Sequence, residues 1–418
     1  MPTQATNIQT TTLSANAVRT RYTYLYREAA EMRRLYDMYA LAAGADRGDL
    51  EKREFMGSTV TYNFLSDMTP GTSAISQTSD ITPQTLRDAV ATVTPTSRAD
   101  AIQWAEAVEI QAYTNWGASA FKKVGKAAME SLEILAYTAA LTGGLVQRAV
   151  ARASLDAGTS GHRWTDSQIA KAAARVTALK CPPLTNANGE LFGGRPMLMA
   201  TAHTDAFYDL FSGGNVVSVG QYQNKGLIFN PYNELGEMHQ FKLMISPWAK
   251  VFGGAGIDAT AGTAATTLSA AATALGLTAT IAAGTNIAIG SYLTIGTEET
   301  GSTLYPTNEI VTVSDDYTLT GTTLYFVGEG ANGGLRFDHA SGTAVRNADN
   351  VYPVVYGSNN SLVKIYANQI GPFAQVIGPK ETGVVNQFSS LGYKWYGGYG
   401  LIADNYIMRG EYASSVQA

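Results

Sequence analysis

The sequence predicts an α+β protein, and three features carry that prediction. Two segments repeat apolar residues at the three-and-four spacing of one helix face: Val18, Tyr22, Leu25, Ala29, Met32, Tyr36 and Tyr39, then Phe121, Val124, Ala128, Leu132, Leu135 and Ala139. Short runs of β-branched and aromatic residues, bounded by glycine and polar turns, recur between Tyr292 and Arg346. Gly371 to Gly400 is dense in glycine and aromatics, is flanked by strand-like runs, and holds no catalytic constellation.

At 418 residues the chain exceeds one ordinary core, so two or three compact units are expected. The Thr-, Gln- and Asn-rich tail before Val18 has nothing to bury and reads as an extended or disordered arm unless a partner holds it. The first helix carries Arg21, Glu28, Glu31 and Arg34 on its other faces and is predicted to end near Gly44. From Phe55 to Ile110 the pieces FMGSTVTYNF, LRDAVATV and IQWAEAVEI read as strands of a long exposed hairpin. Its polar middle is costly for an isolated domain and suits an arm that lies on a neighbour.

The second helix sets Lys122, Lys123, Lys126, Glu130 and Glu133 on its outer side and stops at Gly143-Gly144. Burying its larger apolar side chains is worth about 1.5–3 kcal/mol each before entropy, enough to anchor a core. Thr165 to Leu179 reads as a further helix with Thr165 as N-cap, closed by Pro182-Pro183. Pro196 to Thr201 and Phe241 to Ile245 read as strands, and Ala206 to Phe211 as a short helix between them.

Composition shifts at Gly253 and returns near Val351. Within that interval Tyr292–Ile295, Glu309–Val313, Thr323–Val327 and Thr343–Arg346 predict a small all-β domain, while Ala259 to Gly284 shows no period that assigns a structure. In the C-terminal stretch Phe373 to Ile377 reads as a strand, Gly378-Pro379 as a break and Leu391 to Trp395 as a second strand. Gly397-Gly398 then supplies the positive φ of a tight turn. Tyr399 to Arg409 follows as a strand with Tyr406 and Met408 on one face and Ile407 and Arg409 on the other, closing a sheet.

Charged residues make up 15% of the chain, against about 25% in an average domain, and glycines number 42. A surface so poor in charge suits a protein whose flanks are covered by neighbours. The net charge of −5 provides no bulk electrostatic footprint for nucleic acid. Cys181, the single cysteine, excludes an intramolecular disulfide, fits a reducing cytoplasm and reads as a structural thiol. The N-terminus lacks the basic and apolar regions of a signal peptide. The uncharged run between Asp258 and Glu298 is rich in Ala, Thr, Gly and Ser, and is not the stretch of about twenty apolar residues that a membrane span needs.

Gly328, Gly330 and Gly333 match GxGxxG but lead into Leu335-Arg336-Phe337 rather than a helix, so a β-turn is expected. His162, His203, His239 and His339 form no zinc spacing. His203 with Asp205 and Asp338 with His339 are candidate acid/base pairs without a nucleophile motif. Asp315-Asp316 and Glu298-Glu299 read as solvated turns, because adjacent strand residues face opposite ways and glycoside hydrolysis needs two carboxyls about 5–9.5 Å apart. Asn359-Asn360-Ser361 matches a glycosylation acceptor and is given no role. Trp395, Tyr396 and Tyr399, without interleaved basic residues, read as a core or interface cluster rather than a stacking platform. No enzyme, metal or cofactor is expected.

Pro379-Lys380, Thr382-Gly383, Asn386-Gln387, Ser390-Leu391-Gly392, Lys394-Trp395-Tyr396 and Gly397-Gly398 together resemble the C-terminal signature of tailed-phage major capsid proteins of the group named after the coliphage N-four. The signature covers the last fifty or so residues, and the order of elements before it is similar across most of the chain. The resemblance implies a Hong Kong 97-type capsid fold on this sequence. Its parts would be an N-terminal arm and helix over 1–50, an E-loop hairpin over 51–112, a peripheral domain with a spine helix over 113–164 and an axial domain over 165–252. Residues 253–350 depart from that plan and are expected to be an inserted β-rich domain on the outer surface, as reinforcement or as a docking site for a decoration protein, with 351–418 as C-terminal strands completing the axial and peripheral domains.

It further implies self-assembly into pentamers and hexamers that form an icosahedral or prolate shell, as part of the virion capsid, built in the bacterial host cytoplasm. The implied partners are other copies of the chain, portal and scaffolding proteins, and packaged double-stranded DNA through weak non-specific contact, with no membrane; a decoration protein is a further candidate, on the insertion. Two other classes remain open on the residues alone. One is a surface adhesin or glycan-binding β-module, suggested by the Gly/Thr-rich insertion and its surface aromatics. The other is a hydrolase using Asp338 and His339.

Overall fold

The computed structural model describes residues 35–42, 59–65, 68, 70–72, 83–85, 88–111, 116–185, 191, 196–212, 217–218, 234–246, 249–256, 265–283, 287–296, 307–318, 321–328, 330, 333–358, 361–366, 376–382, 388–402 and 405–417. The chain divides into two units: residues 1–34, 40–135 and 362–403 form one, and 35–39, 136–361 and 404–418 the other. Helices and mostly antiparallel strands coexist in an α+β arrangement.

The first unit contains β1 (Ala40–Ala42), β2 (Val60–Leu65), β3 (Asp88–Val93), β4 (Thr96–Ala105), α1 (Glu106–Gln111) and most of α2 (Trp116–Leu141). Strands β2 and β3 pair antiparallel from Val60 opposite Val93 to Leu65 opposite Asp88, so the predicted hairpin forms. Its third predicted piece does not join it. Ile102 to Ala105 belongs to β4, which pairs elsewhere, and Glu106–Gln111 is helical, because EAVEIQ lacks the strict alternation of a strand.

The first predicted helix lies mainly outside the described residues, and its described end is different. Tyr36–Tyr39 is a 3-10 turn and Ala40–Ala42 is a strand parallel to Leu362–Lys364, so sheet pairing overrides the helical spacing there. Helix α2 runs over the second predicted stripe, with Lys122, Lys123 and Lys126 exposed as expected. Glu133 is a correction: at 3% exposure it is buried, since beyond Met129 burial spreads around the helix instead of keeping to one stripe.

The second unit holds a seven-stranded sheet. Its strands are β5 (Val146–Arg148), β6 (Leu198–Ala202), β7 (Val217–Ser218), β8 (Glu234–Met238), β9 (Phe241–Ile245), β16 (Tyr352–Gly357) and β20 (Ile407–Tyr412), in the order β5-β20-β16-β6-β9-β8-β7. Helices α3 (Asp166–Ala178) and α4 (Thr204–Ser212) pack on it: Ile169, Ala172, Val176, Phe207 and Leu210 meet Leu198, Ala200, Phe241, Val354 and Met408. Three hydrogen bonds pair buried polar groups inside this core. Trp164 Nε1 donates to Tyr356 Oη at 2.8 Å, Tyr356 and Tyr412 share a hydroxyl contact of 3.1 Å, and Gln147 Nε2 donates to Tyr412 Oη at 3.3 Å. Thr165 occupies the N-cap position of α3 as predicted, but its side chain makes no cap bond and instead meets Ser167 Oγ at 3.2 Å.

Between β9 and β16 lie β10 (Ala265–Thr267), β11 (Thr278–Thr280), β12 (Tyr292–Ile295), β13 (Glu309–Val313), β14 (Thr323–Val327) and β15 (Ala344–Arg346). The three middle strands match their predicted limits, and β10 and β11 fall in the Ala/Thr/Gly stretch that had no period. They form one sheet in the order β10-β15-β12-β13-β14-β11. Its two end strands are themselves joined: Leu268 bridges Ile281, Ser269 N donates to Thr280 O at 2.8 Å and Ala282 N to Thr267 O at 2.8 Å. The sheet therefore closes into a small barrel, which removes its edges and explains why strands three residues long are sufficient.

The barrel has its own core of Leu268, Ile281, Leu293, Ile295, Val311, Val313, Leu324, Phe326, Leu335 and Val345. Its root is the antiparallel bridge of Phe252 and Val351, with Phe252 N to Val351 O at 2.8 Å and the reverse at 3.0 Å. Beside it Asn350 Oδ1 accepts Gly254 N at 2.8 Å and Thr294 Oγ1 at 3.0 Å, and Lys250 Nζ donates to Asn308 Oδ1. A fragment spanning residues 250–352 is expected to fold alone, with a β-type circular dichroism spectrum and a cooperative melt. A spectrum of unordered chain would show that the barrel depends on the rest of the unit.

Candidate functional site

The C-terminal strands β17 (Leu362–Tyr366), β18 (Val376–Thr382) and β19 (Phe388–Leu401) form a five-stranded sheet with β1 and β4. β19 is its centre. One edge of β19 pairs with β4 over Phe388–Gly397, and the other pairs with β18 near its start and with β17 over Gly397–Leu401. Alternation puts Leu391, Tyr393 and Trp395 on one face, where with Trp104 they pack against Phe121, Val124, Ala128 and Leu132 of α2. Trp395 is 1% exposed and its Nε1 donates to Ser131 Oγ at 3.3 Å, so the core reading of this aromatic holds.

Gly397-Gly398 is not a turn. β19 runs straight through both residues, and neither has a positive φ. The glycines of this stretch instead permit close approach on the sheet face away from α2. Val93 of β3 crosses there, joining Val363 and Ile365 in a small core. A β-carbon on Gly398 would stand 3.2 Å from Val93 Cγ1, and one on Gly400 would stand 2.4 Å from Val93 Cγ2. Gly392 is hemmed in by β4, with Asp100 O and Ala101 Cβ each 2.8 Å from such a carbon.

The predicted terminal antiparallel unit also divides. Tyr399–Leu401 ends β19 in one sheet, while Ile407–Tyr412 forms β20 in the seven-stranded sheet, where Ile407, Met408 and Arg409 are all buried. The expected break at Gly378-Pro379 is a register shift within β18, between Ile377 and Lys380, a position where a strand tolerates proline. Of the signature residues, Pro379, Lys380 and Thr382 lie in β18 and Gly392, Lys394, Trp395, Tyr396, Gly397 and Gly398 in β19. Gly383, Asn386 and Gln387 lie outside the described residues.

A second cluster was missed by the sequence reading. Glu411 of β20 is fully buried and receives three guanidinium groups: Arg152 Nε at 3.0 Å and Nη2 at 2.7 Å, Arg409 Nε at 2.9 Å and Arg148 Nε at 3.4 Å. Arg152 and Arg409 also lie over the ring of Phe252, 4.4 and 5.7 Å from its centre, which ties the cluster to the barrel root. Burial pushes the Glu411 carboxyl up, but the Arg152 hydrogen bond and charge, then Arg409 and Arg148, outweigh it and hold it below the usual carboxylate range. The signal available in sequence was Arg409 and Glu411 two apart, on one face of the apolar run IMRGEY.

The catalytic candidates separate. His339 Nε2 meets Glu309 Oε1 at 2.7 Å, both side chains fully buried in the barrel, whereas Asp338 accepts the backbone N–H of Ala274. His339 and Asp338 therefore do not form a pair. His203 and Asp205 do approach, at 3.5 Å, but Nδ1 accepts the Asp205 N–H and Asp205 Oδ2 accepts Tyr352 Oη at 3.1 Å. Burial holds the His203 imidazole below its usual value against the pull of Asp205. His239 pairs with Asp166 at 2.8 Å, and His162 Nδ1 accepts Asp156 N.

Gly328, Gly330 and Gly333 form a turn closed by Gly328 N to Gly333 O and Gly330 N to Gly334 O, with no helix after it. Asp315 and Asp316 are exposed turn residues; Glu298, Glu299, Asn359 and Asn360 lie outside the described residues. Ser361 is buried and donates to Tyr406 O at 2.7 Å. Cys181 donates to the same carbonyl at 3.1 Å, and burial pushes its thiol up to about 12, as suits a structural thiol. Among the described residues no cluster of His, Cys, Asp and Glu could hold a metal, and no helix is long and apolar enough to cross a membrane.

No family model matches the sequence, and no curated protein matches it. Among solved structures the chain is similar to one from the capsid of Ralstonia phage GP4, with a TM-score of 0.52, 8% identity and coverage of 93% of this chain and 90% of that one. It is also similar to a chain of the cyanophage Pam1 capsid asymmetric unit, with a TM-score of 0.47, 11% identity and coverage of 92% and 90%. At 8% identity the GP4 likeness is one of fold: the chain has a mixed helix-and-sheet fold of the kind found in a phage capsid.

Proposed function

We propose that this chain is a tailed-phage major capsid protein of the group named after the coliphage N-four, a structural protein rather than an enzyme. The observation that carries the reading is a capsid fold spanning 93% of the chain. The C-terminal signature supports it, because its residues build the strand β19 on which α2 packs.

In this reading α2 is the spine helix, the β2–β3 hairpin is the root of the E-loop, and the seven-stranded sheet is the axial domain. The barrel is an insertion on the outer surface, as reinforcement of the shell or as a docking site for a decoration protein. A two-stranded hairpin is marginal by itself, so one that extends from the sheet gains its stability on a neighbouring copy. Pentamers and hexamers multiply such weak contacts over a closed lattice, enclosing double-stranded DNA in the virion after assembly with scaffolding and portal proteins in the host cytoplasm.

Expression with those assembly partners, followed by gradient sedimentation, tests the proposal. Material sedimenting as particles of many copies is expected. A chain that stays monomeric with every partner and in all ionic conditions would overturn it.

A further inference from the structure

Strand β4 presents a long open edge. Its residues Thr96–Ala105 pair with β19 along the whole strand, and among the described residues no strand pairs with its other side. From Thr96 to Gln103 every side chain is exposed, on both faces of the sheet, and the strand carries neither proline nor lysine to blunt the edge. Such an edge is a template for another chain.

The direction of its hydrogen-bonding groups is fixed. Ala101 N donates to the Asp100 carboxylate at 2.8 Å, so it points away from β19. By the alternation of an antiparallel ladder, Ser97, Ala99 and Ala101 direct their backbone groups to the open side, while Arg98, Asp100 and Ile102 direct theirs to β19.

We propose that a second copy of this chain pairs with this edge, antiparallel, about a two-fold axis at Ala99. The inference rests on the capsid reading for its setting, since closed shells contain two-fold contacts in which one patch meets itself. Parity and charge select the register. The axis falls at a residue position; at Arg98 or at Asp100 a charge would meet its own copy, and only at Ala99 does Arg98 stand opposite Asp100 of the partner subunit, with the reciprocal pair beside it. An axis at Ala101 would set Arg98 opposite Trp104 of the partner subunit, and one at Ser97 would set it opposite Thr96 of the partner subunit. On pairing, Ala101 N passes from its own neighbour's carboxylate to the carbonyl of Ser97 of the partner subunit. The Asp100 carboxylate then turns to Arg98 of the partner subunit. Like charges would face each other in no part of this register.

The test is Ala99→Cys in the full chain, with Cys181→Ser to remove the native thiol. Directly opposite residues of an antiparallel pair hold their Cα atoms about 5.5 Å apart, within disulfide reach. Mild oxidation is expected to give a disulfide-linked dimer as the main product on a non-reducing gel. Arg98→Asp should abolish that band, and Arg98→Asp with Asp100→Arg should restore it. A folded, soluble Ala99→Cys chain that gives no dimer overturns the proposal, as does a band indifferent to Arg98→Asp. Cross-linking of Ala99→Cys to a Thr61→Cys chain in preference to itself would put a neighbour's hairpin on the edge instead and overturn the two-fold pair. A dimer band without sedimenting particles would leave the pairing intact and refute the capsid reading, and particles without the band would do the reverse.

Discussion

Glu411→Ala is expected to destabilise the protein by about 3–5 kcal/mol, the cost of breaking a buried ion cluster by removing one partner. Three guanidiniums converge on this one carboxylate, and two of them flank Phe252 at the barrel root. Without Glu411 they repel each other in a site with little water, so the damage should extend from β20 to the root. Chemical denaturation of the soluble chain measures it, and a loss under about 1 kcal/mol would place the arginines in solvent instead. Acid gives an independent reading. The carboxyl is held below its ordinary value of 4.5, so its contribution is complete above that pH and is lost as pH falls through the lower native value. Glu411→Gln should lack this acid-dependent loss while being less stable than the parent at neutral pH.

Gly400→Val is the second large effect. Its β-carbon alone would stand 2.4 Å from Val93 Cγ2, and the stiff, branched valine cannot rotate away cheaply. Overpacking of this kind costs about 1–3 kcal/mol, and here it separates the β2–β3 hairpin from the central sheet. Val93→Ala in the same chain should recover much of the loss, because the clash is between two side chains. Gly392→Val should resist such rescue, since the Asp100 carbonyl lies 2.8 Å from its β-carbon and cannot be trimmed. Equal rescue of both variants, or of neither, would contradict the crossing geometry at β19.

The barrel and α2 were largely legible in the sequence because their signals are local. YLTI, EIVTV and TLYFV alternate between glycine and polar turns, and the limits of β12, β13 and β14 follow from that alone. β10 and β11 were not legible: at three residues each they are too short to show an alternation, and they are held by closure of the sheet through the bridge between Leu268 and Ile281. The same division runs through the candidate site. Trp395 announces a core, but the pair Gly397-Gly398 suggests a turn where there is none, because glycine serves two needs, a positive φ and close approach, and only the path of Val93 decides between them. Tyr36 and Tyr39 kept helical spacing while Ala40–Ala42 joined a strand pair with Leu362–Lys364, more than three hundred residues away. Glu411 was overlooked because a buried carboxylate is improbable until its arginines, from β5, β20 and the turn at Arg152, are placed around it.

Electron microscopy of the chain purified after expression with its scaffolding and portal partners tests the capsid reading most directly. Closed shells with pentameric and hexameric capsomers, each subunit fitting the α2–β19 layer and carrying the barrel outward, are the expected images. Fields of dispersed single chains, or open aggregates without rotational symmetry under every condition tried, would contradict it.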